Sequence, residues 1–195
     1  MTERRKRNNR ENLLQAAFDL FVEKEFEHVT VRDITARAGV AVGTFYNYFV
    51  DKEAIFRALV DGYTTLAATA VRDFRRRAAD GEEFIRFAYE AWFRGIAENQ
   101  NVFRVALKYE AVIGSLYQVP VAEMARDWLL EDIGAGVDRG WFPPVDREYL
   151  AAAFIGVAQE MARIMIKRDV LDPDHAARFA TQLFFGGLEA LPRNE

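Results

Sequence analysis

Apolar residues recur at intervals of three and four along nearly the whole chain, and no convincing two-residue alternation appears, which predicts an all-α protein. Leu13, Leu14, Ala17, Phe18 and Phe21 mark a first amphipathic helix ending near Lys24. Thr30, followed three positions later by Asp33, is a helix-start signal; it opens a short helix over 31–38. Gly39 ends that helix, because glycine accepts the left-handed backbone of a tight turn. A second short helix is predicted over 42–48. Asp51 caps a long fourth one, whose stripe runs from Ile55 and Phe56 through Leu59, Tyr63 and Leu66 to Phe74. After a turn at Asp80-Gly81, helices follow over 82–98, 101–116 and 120–138. The Gly-Trp-Phe-Pro-Pro stretch at 140–144 is a loop, since proline lacks a backbone donor. Asp146 caps a helix over 147–168, and Asp172-Pro173 opens a last one that runs to about 191. Nine helices are thus expected.

Composition narrows the class. Of 195 residues, 51% are hydrophobic, enough for a sizeable core and too many for global disorder. With no cysteine there is no disulfide or thiolate metal site, and His28 and His175 are too far apart in sequence for ligand spacing. The chain start lacks a signal pattern, and the longest apolar run, Tyr149 to Ala158, is too short to span a bilayer. A cytoplasmic protein without membrane partner, metal or cofactor is expected. The charge is uneven. Arg4, Arg5, Lys6, Arg7 and Arg10 against Glu3 alone put +4 on the first ten residues, so a formal net charge of −4 leaves −8 on the rest. A basic arm on an acidic body can hold a polyanion locally. Taken alone, such a terminus is more often a solvated end.

Residues 42–52 read VGTFYNYFVDK. Phe45 and Phe49 lie one turn apart, and with Ile34, Ala38, Val40, Leu14, Phe18 and Phe21 they suffice to seal a three-helix unit. Tyr46 and Tyr48 are then left outward. Two short helices joined by AGVA behind a supporting helix form a helix-turn-helix pattern, which lays its second helix in the DNA major groove. On that surface the phenols of Tyr46 and Tyr48, the hydroxyl of Thr44 and the ammonium of Lys52 are candidate phosphate contacts. Gly43 permits close approach, Val42 can touch a thymine methyl, Asn47 can pair with adenine, and Arg32 can reach guanine or phosphate. Each tyrosine alone would more often be a half-buried amphipathic residue. Together with Arg32, Thr44, Lys52 and the arm (Arg4, Arg5, Lys6, Arg7), the set favours DNA.

Residues of about 10–57, centred on TVRDITARAGVAVGTFYNYFVDKEAIFRAL, resemble the DNA-binding domain of the tetracycline-repressor (TetR) family of bacterial transcriptional regulators. The resemblance implies a nine-helix, all-α homodimer: a DNA-binding domain over 1–51, and an effector-binding and dimerisation domain over 52–195 with the helix of about 52–78 as connector. It implies a small-molecule effector bound in the C-terminal domain and a dimer interface made by the last two helices. The chain departs from the family pattern at Glu25, where glycine usually follows the first helix, and at Val29 and Thr35.

The C-terminal body is rich in large flat or flexible side chains. Trp92, Phe93, Phe103 and Trp128, with Tyr109, Gln159 and Arg163 as polar anchors, are candidates to line a mostly apolar effector pocket. Aromatic stripes at helical spacing are more often plain core. In the last two helices, Gly156, Phe179, Leu183, Phe184, Gly187 and Leu188 are candidates for a dimer interface, since glycine inside a helix costs about 1 kcal/mol relative to alanine unless another backbone comes close. No nucleophile–base pair or phosphate loop points to catalysis. The expected function is a ligand-responsive regulator, a repressor released from a palindromic operator by its effector. The alternatives are a helical small-molecule carrier or enzyme without a DNA role, and a purely structural helical dimer.

Overall fold

A computed structural model describes residues 3–109, 120–168 and 170–188, with backbone only at 3–6, 120–122 and 188. Nine α-helices lie among the described residues: α1 Glu3–Glu23, α2 Val31–Ala38, α3 Val42–Phe45, α4 Lys52–Arg75, α5 Gly81–Glu98, α6 Gln100–Lys108, α7 Pro120–Asp138, α8 Arg147–Lys167 and α9 Pro173–Leu188. A single 3-10 turn, Phe26–His28, follows α1. No strand occurs among the described residues. The all-α expectation holds.

Aspartates set four of the starts. A carboxylate there accepts from amides that the first turn leaves unpaired. Asp51 Oδ1 accepts from Ala54 N at 2.7 Å, Asp80 Oδ1 from Glu83 N at 2.8 Å, and Asp172 Oδ1 from His175 N at 2.8 Å. Asp146 Oδ1 accepts from two amides, Glu148 N at 2.9 Å and Tyr149 N at 3.0 Å. Two boundaries differ from the sequence expectation. Helix α1 begins at Glu3, so the basic arm is wound as its first turns, with an exposed Arg7–Glu11 pair at 3.8 Å. Helix α3 stops at Phe45, and residues 46–48 continue as a turn in which Asn47 N donates to Thr44 O at 3.3 Å. The parts of the expected helices beyond Tyr109 and beyond Leu188 lie outside the described residues.

The chain divides into two compact units. One is Met1–Tyr63 with Arg104–Gln118; the other is Thr64–Phe103 with Val119–Glu195. We call them head and body. The sequence division at 51/52 falls at the start of α4, whereas the head extends into that helix because Ile55 and Phe56 are fully buried in its core. The head core also takes Leu13, Ala17, Leu20 and Phe21 from α1, Ile34 from α2, Phe45 and Phe49, and Val105 and Tyr109 from the end of α6.

In the body, α5, α7, α8 and α9 enclose one core. Tyr89 is its centre: its ring stacks on Phe154 at 4.4 Å, and its hydroxyl donates to Phe154 O at 3.3 Å. The small faces of Ala88 on α5 and Ala176, Ala177 and Ala180 on α9 are all buried there. Phe142, from the 140–144 loop, plugs one end; a Cβ on Gly136 would sit 2.7 Å from its ring. Helix α8 is long and apolar enough to cross a membrane by composition, yet here it buries Leu150, Ala151, Phe154, Ala158, Ala162, Met165 and Ile166 in the protein core. The end of α4 joins α7 through an ion pair: the buried Arg75 guanidinium donates to Asp132 Oδ2 from Nε at 3.0 Å and from a terminal nitrogen at 2.5 Å.

Candidate nucleic-acid interface

The head holds α2 and α3 by local chemistry first. Thr30 and Asp33 form a complete capping box: Asp33 N donates to Thr30 Oγ1 at 3.2 Å, and Thr30 N donates to Asp33 Oδ2 at 2.9 Å. Asp33 replaces the more usual glutamate, and its shorter side chain still reaches. The Thr30 hydrogen bonds hold the Asp33 carboxyl below its ordinary value. Gly39 closes α2 in the left-handed region, φ +68°, and its amide donates to Ala36 O at 3.3 Å. That turn reverses the chain into α3. Arg37 ties α2 back to α1 through both oxygens of Glu23, at 3.0 and 2.8 Å.

Packing then decides which groups face out. Phe45 is fully buried and Phe49 is 6% exposed, with ring centroids 5.7 Å apart. These two rings satisfy the core. Tyr46 stays 57% exposed, its ring edge-on to Phe45 at 5.4 Å, so a buried neighbour fixes the direction of an outward phenol. Tyr48 is half-buried and packs on the head core. Val42, Gly43, Asn47 and Arg32 are exposed, and Thr44 is half-buried. A Cβ added to Gly43 would meet no atom within 4 Å. Nothing in the fold itself therefore requires glycine there.

Lys52 has a second engagement. Its Nζ donates to Phe26 O at 2.6 Å and lies 4.2 Å from the Phe26 ring centroid. The ammonium thus clamps the turn after α1. Of the arm, Arg7 is exposed, and the side chains of Arg4, Arg5 and Lys6 lie outside the described residues. Arg10, one helical turn further on, lies over the Phe49 ring at 5.6 Å. It places a cation next to the aromatic cluster; its signal in the sequence was only the arm's charge.

The effector candidates are divided between the two units. Trp92 donates from Nε1 to Ala158 O at 3.0 Å and packs edge-on to Phe103 at 6.5 Å. Phe93 is fully buried in the body core. Trp128 lies under the Arg72 guanidinium at 4.5 Å. Gln159 is exposed, and Arg163 is half-buried with Nε 3.6 Å from Glu160. Tyr109 belongs to the head, where its hydroxyl donates to Lys24 O at 2.6 Å and Phe21 O at 3.1 Å; burial pushes its phenol upward, so it remains a donor. A crevice of about 10 Å³ in the body is lined by Phe84, Ile85, Ile133, Phe142, Leu150, Phe154 and Phe184, and includes none of the seven candidates.

The interface candidates divide as well. Phe179 and Leu183 are each 54% exposed, and Gly156 and Gly187 are exposed with no atom within 4 Å of an added Cβ. Phe184 turns inward, its ring 5.4 Å from Phe154 and 5.9 Å from Tyr89. The Leu188 side chain lies outside the described residues.

Residues 13–59 match the family model of bacterial regulatory proteins, tetR family. More than nine-tenths of the chain superimposes on several solved structures. One is the fatty acid degradation regulator FadR from Bacillus halodurans, at 22% identity over 92% of this chain and 96% of that one, with a TM-score of 0.73. Another is FadR from Bacillus subtilis in complex with stearoyl-CoA, at 18% identity over 91% and 98%, TM-score 0.74. A third is a bacterial regulatory protein in the tetR family from Rhodococcus RHA1, at 20% identity over 96% and 98%, TM-score 0.71. At these identities the superpositions speak for the fold alone, and it is residues 13–59 that are similar to the bacterial regulatory proteins of the tetR family.

Proposed function

We propose that the chain is a ligand-responsive transcriptional repressor that binds a two-fold operator as a homodimer and releases it on binding a small, mostly apolar effector. One observation carries the DNA reading. The edge formed by Val42, Gly43, Thr44, Tyr46 and Asn47 has its core requirement met by Phe45 and Phe49, and it keeps an outward phenol and an uncrowded glycine. Such an edge suits a duplex: hydroxyls and the amide register the helix on phosphates, and Val42, Asn47 and Arg32 read base edges. Two heads placed roughly 34–36 Å apart would enter successive major grooves. The test is selection of bound duplexes from a random-sequence pool, followed by gel shift across salt. A two-fold site with affinity falling steeply in salt is expected. Recovery of no sequence above background would end the reading and favour a carrier or a purely structural dimer.

Phe179 and Leu183, exposed one turn apart on α9 and followed on the same side by the open Gly186 and Gly187, with the open Gly156 on α8, support a second copy as the occupant of that face. No described atom of the chain's own fold crowds those glycines, which supports the interface reading over intrachain packing. Gly187→Arg is expected to abolish the dimer in sedimentation. An intact dimer would remove this face from the interface. For the effector, support comes from the apolar body and from the stearoyl-CoA complex of the structurally similar Bacillus subtilis FadR. An acyl-chain-like ligand fits both. Titration calorimetry with stearoyl-CoA and shorter or aromatic analogues tests it, and the absence of heat throughout would refute it. An effector with different affinities for the DNA-bound and free states shifts their balance by that difference alone. This work would take place in the cytoplasm.

A further inference from the structure

The end of α1 poses a problem that the sequence does not solve nearby. Glu25 stands where a glycine could close the helix, and no non-glycine residue among those described adopts positive φ. Helix α1 therefore ends without the left-handed residue that normally returns amide donors to its last carbonyls. Those carbonyls nonetheless have partners. Tyr109 Oη donates to Phe21 O at 3.1 Å and to Lys24 O at 2.6 Å; Lys108 Nζ donates to Lys24 O at 3.2 Å and pairs with Glu25 at 2.9 Å. The Tyr109 ring is 3% exposed and sits edge-on to Phe21, Phe26 and Phe56, at 6.2, 6.0 and 5.6 Å.

We infer that Tyr109 is a positioning residue for DNA recognition: its hydroxyl, delivered by the end of α6, is the C-terminal cap of α1 and thereby fixes the turn on which α2 is mounted. The chain after α1 is short. Phe26–His28 is a single 3-10 turn, Val29 is buried, and Thr30 already caps α2. Fraying at Phe21–Lys24 reaches α2 within six residues of Lys24. Lys52 holds the other side of the same turn at Phe26 O, so the segment is clamped from two elements remote in sequence. A side-chain cap differs from a glycine cap in one respect: it depends on a residue remote in sequence, here 85 positions from Lys24.

The test is Tyr109→Phe, which keeps the ring and removes the donor, with Lys108→Ala as a second variant that spares the buried ring. Amide exchange over residues 20–30 is expected to rise by about tenfold in Tyr109→Phe and less in Lys108→Ala, with exchange in the body unchanged. The DNA measurement rests on the regulator reading and uses a duplex selected by the wild-type chain alongside a random duplex at low salt. Affinity for the selected duplex is expected to fall about tenfold, while affinity for the random duplex and the salt slope stay at the wild-type values. A cap that only stabilised the head would raise exchange without changing the ratio of selected to random binding, and that result would overturn the positioning role. Unchanged exchange in Tyr109→Phe would overturn the cap itself. If the wild-type chain selects no duplex, the regulator reading falls, and the exchange measurement still decides whether Tyr109 caps α1.

Discussion

Gly43→Ala separates what the fold needs from what DNA needs. Gly43 is the second residue of α3, its φ is not positive, and an added methyl meets no atom within 4 Å. For the free protein the change is therefore favourable: alanine narrows the unfolded ensemble without strain, about 0.4–1 kcal/mol. In a chain of this length that raises the melting temperature by about 1–4 °C. On the DNA reading proposed above, the same methyl would occupy the space through which the backbone approaches the duplex. Overpacking a close contact costs about 1–3 kcal/mol, which is roughly 5- to 150-fold in affinity. The two effects have opposite signs, so a misfolding artefact cannot imitate them. Thermal melting monitored by circular dichroism and fluorescence anisotropy with a selected duplex at fixed salt measure both. Binding within twofold of wild type would show that the duplex does not come close at Gly43. A lowered melting temperature would show that the space around it is not free.

Lys52→Met removes a charged hydrogen bond to Phe26 O and is expected to lower unfolding stability by about 1.5–3 kcal/mol by urea titration. In the folded range it should also reduce the salt slope of DNA binding by about one phosphate contact; an unchanged slope would leave Lys52 as a clamp only. Asp132→Ala strands the Arg75 guanidinium, whose side chain is 5% exposed, and is expected to cost about 3–5 kcal/mol. Arg76→Ala, which removes a 3.5 Å contact at a side chain 57% exposed, should cost well under 1 kcal/mol by the same titration. Equal costs would contradict the burial argument.

Local chemistry was legible in the sequence. Asp51, Asp146 and Asp172-Pro173 announce helix starts because a cap and its amide lie within three residues, and all three cap in the structure. The inward pair Phe45 and Phe49 follows from one-turn spacing, which leaves Tyr46 outward by elimination. Partnerships across long separations were not legible. Periodicity puts Tyr109 on an apolar face but cannot say which core that face enters; its partner Phe21 lies 88 residues away. Lys52 reads as a solvent-facing cation until Phe26 O, 26 residues earlier, is found within 2.6 Å. Trp92, Phe93 and Trp128 illustrate a further limit, because pocket lining and packed core share one spacing and one composition. The departure at Glu25 was the one local sign that a remote group was needed.

The head is assembled from two stretches of chain separated by Thr64–Phe103, which belong to the body. During synthesis the ribosome must therefore release more than forty residues beyond Tyr63 before Val105 and Tyr109 can complete the first core. Until then Phe21, Phe26 and Phe56 lack one of their aromatic neighbours, and the nascent helix-turn-helix waits as an unfinished sticky surface. A loop of that size adds little closure entropy but delays the contact that ends it. The head, although its first stretch is encoded first, is thus finished only after part of the body has been made, and a fragment cut at Tyr63 would be born incomplete.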